Sequence, residues 1–231
     1  MTTALAPVTL DVMTGRELRE LIAPVLAHAD SSRFAHPKFT LVDCEVDGGT
    51  LYLAATDRYT LGITCHPVPE AQNHIRGSIT VPAAALRTVL RTAKARDRLL
   101  MSLDRRGITV THAGGDGLSH HIPASPMDFP LNWRGWFGTK LHNPAAPGSA
   151  LALDPRKLAR FAPAVRNGWP LEVRQTTGGH GPVLVTCGDH FLGVIMPIRL
   201  PDEDKPGRSA DPLTTWQAIC PDTPATTGQA A

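Results

Sequence analysis

The chain has 231 residues with 42% hydrophobic content, enough for one large or two small domains around a real core. No stretch approaches the roughly 18 apolar residues of a membrane span, and the N-terminus MTTALAPVTLDV lacks a charged segment leading into an apolar one, so the chain reads as soluble and cytoplasmic. The four cysteines, Cys44, Cys65, Cys187 and Cys220, form no Cys-x-x-Cys pair, which argues against a disulfide framework or zinc knuckle; the formal net charge of +2 permits contact with a polyanion without demanding it.

Three segments follow one pattern: strand, amphipathic helix, then two or three strands. The first predicts a strand over 8–13 and a helix over 15–29, with Leu18, Leu21, Ile22 and Val25 on one stripe. Pro24 predicts a kink or an early end. Strands over 39–46, 50–55 and 59–66 follow. The second segment has a strand over 78–81, Pro82 suited to the first helical turn, and a helix over 83–95 burying Leu86, Val89 and Leu90. Strands over 99–103, 108–112 and 118–122 complete it.

The stretch 124–149 is rich in Pro and Gly, holds Trp133, Trp136 and Phe137, and is too short for another unit. The third segment then repeats the second: LALDPRKLARFAPAV answers ITVPAAALRTVL, with Asp154 as N-cap and Pro155 in the first turn. Turn signals HAGGDG (112–117) and TTGGHG (176–181) fall at comparable places. Such a repeat dictates the fold. Residues 201–231 carry five acids against two bases and read as a disordered acidic tail, leaving 21 bases against 16 acids in the body.

Chemistry-bearing groups are sparse. Arg87, Arg91, Lys94 and Arg98 recur at i, i+4, i+7 and i+11, and Arg156, Lys157, Arg160 and Arg166 crowd the third helix. Such stripes suit sequence-independent contact with duplex DNA phosphates, or form a solvated face. Cys187, Asp189 and His190 have no further Cys or His pair at ligand spacing and read as a hairpin turn. His120 and His121 would face opposite sides of a strand. Neither glycine-rich turn carries the Lys-Ser/Thr of a phosphate loop. No catalytic residue, metal or cofactor is expected.

Two stretches, LYLAATDRYTLG (51–62) and GPVLVTCGDHFLGVIMPIRL (181–200), resemble in order the TDGHRL-type turn and the strand-end MP(M/I)RL of the bacterial DNA polymerase III beta subunit, the sliding-clamp family. VPAAALRTVLR resembles the second-helix entry of that family's middle domain, and MDFPLNWRG its exit segment. The chain thus looks like a truncated or divergent member. The resemblance spans 8–200 and implies an α+β sliding-clamp fold. In this reading 1–125 is a complete clamp-like domain of two units, 126–149 an inter-domain linker and 150–200 a half domain; the family's first domain and half of its third have no counterpart.

The resemblance also implies a peptide pocket. Leu41, Thr56, Arg58, Tyr59, Thr60 and Leu61 would form one wall, with Arg58 and Tyr59 replacing the family's Gly-His. Pro130 and Arg134 would form the inter-domain edge, and Val183, Ile195, Met196, Pro197 and Ile198 the other wall. Expected partners are a DNA polymerase or other replication or repair proteins, bound through a Gln-x-x-Leu-x-Phe type peptide, and duplex DNA on the helices as for a processivity factor. The alternative is a stand-alone interaction or regulatory module that binds such peptides without encircling DNA. The missing half domain leaves an open edge, for which the linker aromatics are the expected cover, so a monomer or weak dimer is expected rather than a closed ring.

Overall fold

The computed structural model describes residues 5–32, 34–114, 119–127, 131, 133–134, 152–166, 168–176 and 181–198. Most of the expected linker, including Pro130, Trp136 and Phe137, and the whole 201–231 tail lie outside the described residues.

The first unit opens with two short strands, β1 (Val8–Thr9) and β2 (Met13–Thr14), and helix α1 (Gly15–Leu26). A capping box starts α1: Thr14 Oγ1 accepts the Glu17 N–H at 3.2 Å, and the Glu17 carboxylate accepts the Thr14 N–H at 2.6 Å. Leu18, Leu21, Ile22 and Val25 are buried as the stripe requires. The helix ends before the expected residue 29: Pro24 leaves only a gap at the Glu20 carbonyl, the Ala27 N–H still bonds the Ala23 carbonyl at 3.2 Å, and the chain then tightens as the His28 N–H turns to the Val25 carbonyl at 3.0 Å. Strands β3 (Leu41–Asp47), β4 (Thr50–Thr56) and β5 (Thr60–Pro67) follow. The second unit is β6 (Gly77–Pro82), α2 (Ala83–Thr92), β7 (Arg98–Asp104), β8 (Gly107–His112) and β9 (His120–Pro123).

The two units interlock by exchanging their leading strands. β1 and β2 pair with β7 of the second unit, while β6 pairs with β3 of the first. Between the sheets, α1 and α2 bury Leu18, Ile22 and Leu86 against Leu51, Leu53, Met101, Leu103 and Ile108. The helices also exchange arginines. Arg19 of α1 donates to the Leu90 and Ala93 carbonyls at 2.7 and 3.3 Å, and Arg87 of α2 donates to those of Leu26 and Ala29 at 2.9 and 3.2 Å. Each helix thus supplies a cation to the other's unsatisfied C-terminal carbonyls.

The third unit has a short helix, α3 (Pro155–Leu158), a 3-10 turn (Ala159–Ala164), and strands β10 (Glu172–Gln175), β11 (Val183–Cys187) and β12 (Phe191–Ile195). The Asp154 carboxylate caps α3 by accepting the Arg156 N–H at 2.9 Å. Pro163 prevents a longer α-helix like that of the second unit. β12 pairs with β5, so the units share a seven-stranded antiparallel sheet in the order β10-β11-β12-β5-β4-β3-β6, while β1, β2, β7, β8 and β9 form the other sheet.

Two paired glycines make the joint. Gly193 lies opposite Gly62, and the hollow they leave is filled by rings from both sides. A Cβ on Gly62 would stand 2.1 Å from His28 Cδ2, and one on Gly193 would stand 2.5 Å from Phe161 Cε1. His28 packs on Phe161 and Phe191 with ring centroids at 4.6 and 6.0 Å. Arg166 closes the joint by donating to the Glu20 carbonyl, the group that Pro24, having no N–H, cannot satisfy within α1.

Candidate functional site

A groove of about 480 Å³ lies where β5 meets β12, lined by Thr56, Arg58, Tyr59, Thr60, Leu61, Leu131, Trp133, Pro182, Val194 and Met196. One wall is the turn between β4 and β5, which Asp57 organises. Its Oδ1 accepts the N–H groups of Tyr59 and Thr60 at 3.0 and 2.7 Å and the Thr60 hydroxyl at 3.0 Å; its Oδ2 accepts from Arg160 at 2.5 Å. Burial opposes ionisation of Asp57, but the Thr60 N–H and the Arg160 charge outweigh it and hold the carboxyl below its ordinary range. Arg58 sits at φ 79°, a left-handed conformation that glycine adopts without cost. Its guanidinium lies over the rings of Phe39 and Tyr59 at 5.1 and 6.0 Å, and Lys157 Nζ is 3.2 Å from the Tyr59 ring centre.

The opposite wall is the end of β12, where the Met196 N–H donates to the Tyr59 carbonyl at 2.8 Å and its side chain remains exposed. The floor is Leu61 and Val194, paired across the β5–β12 joint. Leu131 and Trp133 close one end. They are held because alternate residues of β3 present acids on that face: Asp43 accepts the Leu131 N–H at 3.1 Å, and Glu45 accepts Trp133 Nε1–H at 3.2 Å. Arg134 pairs with Glu45 and stacks on Trp133 and Tyr52 at 4.2 and 4.6 Å.

Of the expected pocket residues, Thr56, Arg58, Tyr59, Thr60, Leu61 and Met196 line this groove. Val183 and Ile195 do not: both are wholly buried in the core of the third unit, because the alternation of their strands turns them toward Phe161. Leu41 opens β3 away from the lining, Pro197 is half-buried, and Ile198 is exposed beside Ala152. Arg134 braces Trp133 rather than lining the groove. Sequence reading missed Leu131, Trp133, Pro182 and Val194. The alternation of β12 could have found Val194, since Met196 shares its face.

The expected basic stripe is not one helical face. α2 stops at Thr92, whose hydroxyl takes the Val89 carbonyl, and the Asp97 carboxylate binds the Lys94 N–H at 2.8 Å to form the following turn. Lys94 therefore lies in a turn and Arg98 opens β7. Arg87 is half-buried on α1 carbonyls, Arg160 is paired with Asp57, and Lys157 covers Tyr59, so Arg91, Lys94, Arg98 and Arg156 remain as exposed cations of the set.

The remaining polar candidates make structural bonds. His190 Nε2 lies 3.1 Å from the Ala164 carbonyl, and Cys187 Sγ lies 3.6 Å from that of Trp169. His120 and His121 bond Thr92 and Thr109 on opposite faces of β9. Among the described residues no three His, Cys, Asp or Glu side chains group as for a metal ion, and no helix is long and apolar enough to cross a membrane.

No protein-family model matches the chain, and no curated protein matches it in sequence. Solved structures do. The DNA polymerase sliding clamp of Bacillus subtilis superimposes with a TM-score of 0.64 at 11% identity, over 87% of this chain and 66% of that one. The DNA polymerase III beta subunit of Thermotoga maritima gives 0.63 at 14% identity, over 87% and 68%. That of Borrelia burgdorferi, in complex with a natural product, gives 0.66 at 9% identity, over 87% and 65%. The chain spans about two thirds of the length of these proteins and has their α+β sliding-clamp fold.

Proposed function

We propose that this chain is a non-catalytic, sliding-clamp-like protein that presents the groove at the β5–β12 joint to short linear peptides of DNA replication or repair proteins, as a processivity factor does. The groove itself carries the reading. It brings the Thr56–Leu61 turn and the Met196 strand end, more than 130 residues apart in sequence, to one apolar cleft with polar rims. Its volume is in the range of about 300–1,000 Å³ typical of small-molecule sites. Leu61, Val194 and Met196 offer apolar seats, and a methionine adapts to several anchor shapes. Duplex DNA is the second proposed ligand, held through phosphates by the exposed Arg91, Lys94 and Arg156.

Calorimetry with a Gln-x-x-Leu-x-Phe peptide tests the groove. Binding is expected for the wild type. Met196→Asp, which puts an unpaired carboxylate under the bound peptide, is expected to weaken it by about a hundredfold or more. No binding by the wild type, or equal binding by both, refutes the assignment. Affinity for duplex DNA is expected to be independent of sequence, to fall steeply with salt, and to drop when Arg91 and Lys94 are both reversed to Glu. Peptide binding without any DNA binding would leave the stand-alone interaction module as the function.

A further inference from the structure

The first two units show how one unit completes another. In both halves of the exchange, the residue capping a helix pairs with the first residue of the other unit's first strand after its helix: Thr14 with Arg98, and Pro82 with Leu41. The preceding residue is buried and meets a buried partner, Met13 opposite Leu99 and Val81 opposite Val42.

Among the described residues, the third unit has both elements of this exchange and no second unit paired with them. β10 is the outermost strand of its sheet, and no strand among the described residues pairs with its free edge. Val173 lies opposite Val185, on the face that packs against Phe161, yet it is 49% exposed. Leu158 and Val165 of the same unit are exposed as well. Leu153, just before the capping Asp154, packs at the margin of this small core. The exit of the unit repeats that of the second. Ile198 N–H donates to the Ala152 carbonyl at 2.8 Å, as Ser125 N–H does to Thr80 at 2.7 Å, in each case two residues before the cap. In β6 this leaves the alternate residue, Val81, to bond β3, and strand alternation leaves Leu153 directed the same way.

We propose that two copies of this chain complete the half-built unit for each other, the segment 152–154 of each pairing antiparallel with β10 of the other about a two-fold axis. The register carried over from the first two units sets Leu153 opposite Val173, Asp154 opposite Glu172, and Ala152 opposite Arg174. Each copy carries both the free edge and the segment that fits it, so one isologous contact satisfies both edges at once. Leu153 and Val173 supply an apolar pair of the kind that Val81 and Val42 make. The two carboxylates brought together are already engaged, Glu172 by Arg174 at 2.6 Å and Asp154 by the Arg156 N–H.

Sedimentation velocity of the full chain across the micromolar range tests this, together with two sets of variants. The wild type is expected to pass from monomer to dimer with concentration. Val173→Asp, at a position exposed in the monomer, is expected to weaken the dimer by about tenfold or more. Under mild oxidation, Leu153→Cys combined with Val173→Cys is expected to give a covalent dimer whose linked peptides join positions 153 and 173, whereas either change alone gives no such link. A chain monomeric throughout, a dimer indifferent to Val173→Asp, or self-linking through Val173→Cys alone, which would mean edge-to-edge pairing of β10, overturns the proposal.

Discussion

His28 is fully buried between α1, Gly62 and two phenylalanine rings, with no hydrogen-bond partner for either ring nitrogen. Burial, and then the charge of nearby Arg160, lowers its pKa from 6.5 to about 3, so the folded protein holds it neutral. The unfolded chain binds the proton more readily, so this stability is complete above about pH 6.5 and is lost as the pH falls toward 3, by up to about 1.4 kcal/mol per unit. His66, also lowered by burial, acts with the same sign. Urea denaturation at pH 7, 6 and 5 is expected to show stability falling with pH. His28→Phe, which keeps a ring in the hollow, is expected to make that slope shallower while costing less than about 1.5 kcal/mol at pH 7.

At the scale of elements, the arginine exchange between α1 and α2 separates structural cations from surface ones. Arg87 is tied to the end of α1, and burial lowers its pKa, whereas Arg91, one turn later, is exposed and donates to the Thr88 hydroxyl of its own helix. Arg87→Met is expected to cost about 1–3 kcal/mol, because it strips two carbonyls of their donor. Arg91→Met is expected to stay within about 0.5 kcal/mol. Paired denaturation curves check both. The i, i+4 spacing of these residues was legible, but not their division of roles, since only the packing of α1 against α2 turns Arg87 toward a carbonyl. The end of α2 was misread for a related reason: Asp97, beyond the helix, captures the Lys94 N–H.

At the scale of the molecule, everything the groove needs depends on the β5–β12 joint. Leu61 and Val194 face each other only while Gly62 and Gly193 allow the His28 and Phe161 rings between the units. Gly62→Ala is expected to force those rings apart, lower the thermal midpoint and abolish peptide binding, because the Met196 wall would leave the Thr56–Leu61 turn. Calorimetric scanning is expected to show the wild type unfolding in one transition and the variant in two, the third unit first. A variant that keeps one transition and full peptide affinity would show that the joint tolerates a methyl group.

The sequence by itself determined the repeated unit, the stripe of α1, the cap at Asp154 and the two stretches that meet at the groove. Those are local or periodic signals, written in apolar spacing and turn chemistry. Only the tertiary structure decided that leading strands are exchanged, that β12 extends the first unit's sheet, that Val183 and Ile195 turn inward, and that Leu131 and Trp133 close the groove. Strand pairing between distant segments depends on which edges and faces remain open once local elements form. A pair such as Gly62 and Gly193 has no side chain to announce its partner, so their pairing becomes visible only when the His28 and Phe161 rings fill the space they leave.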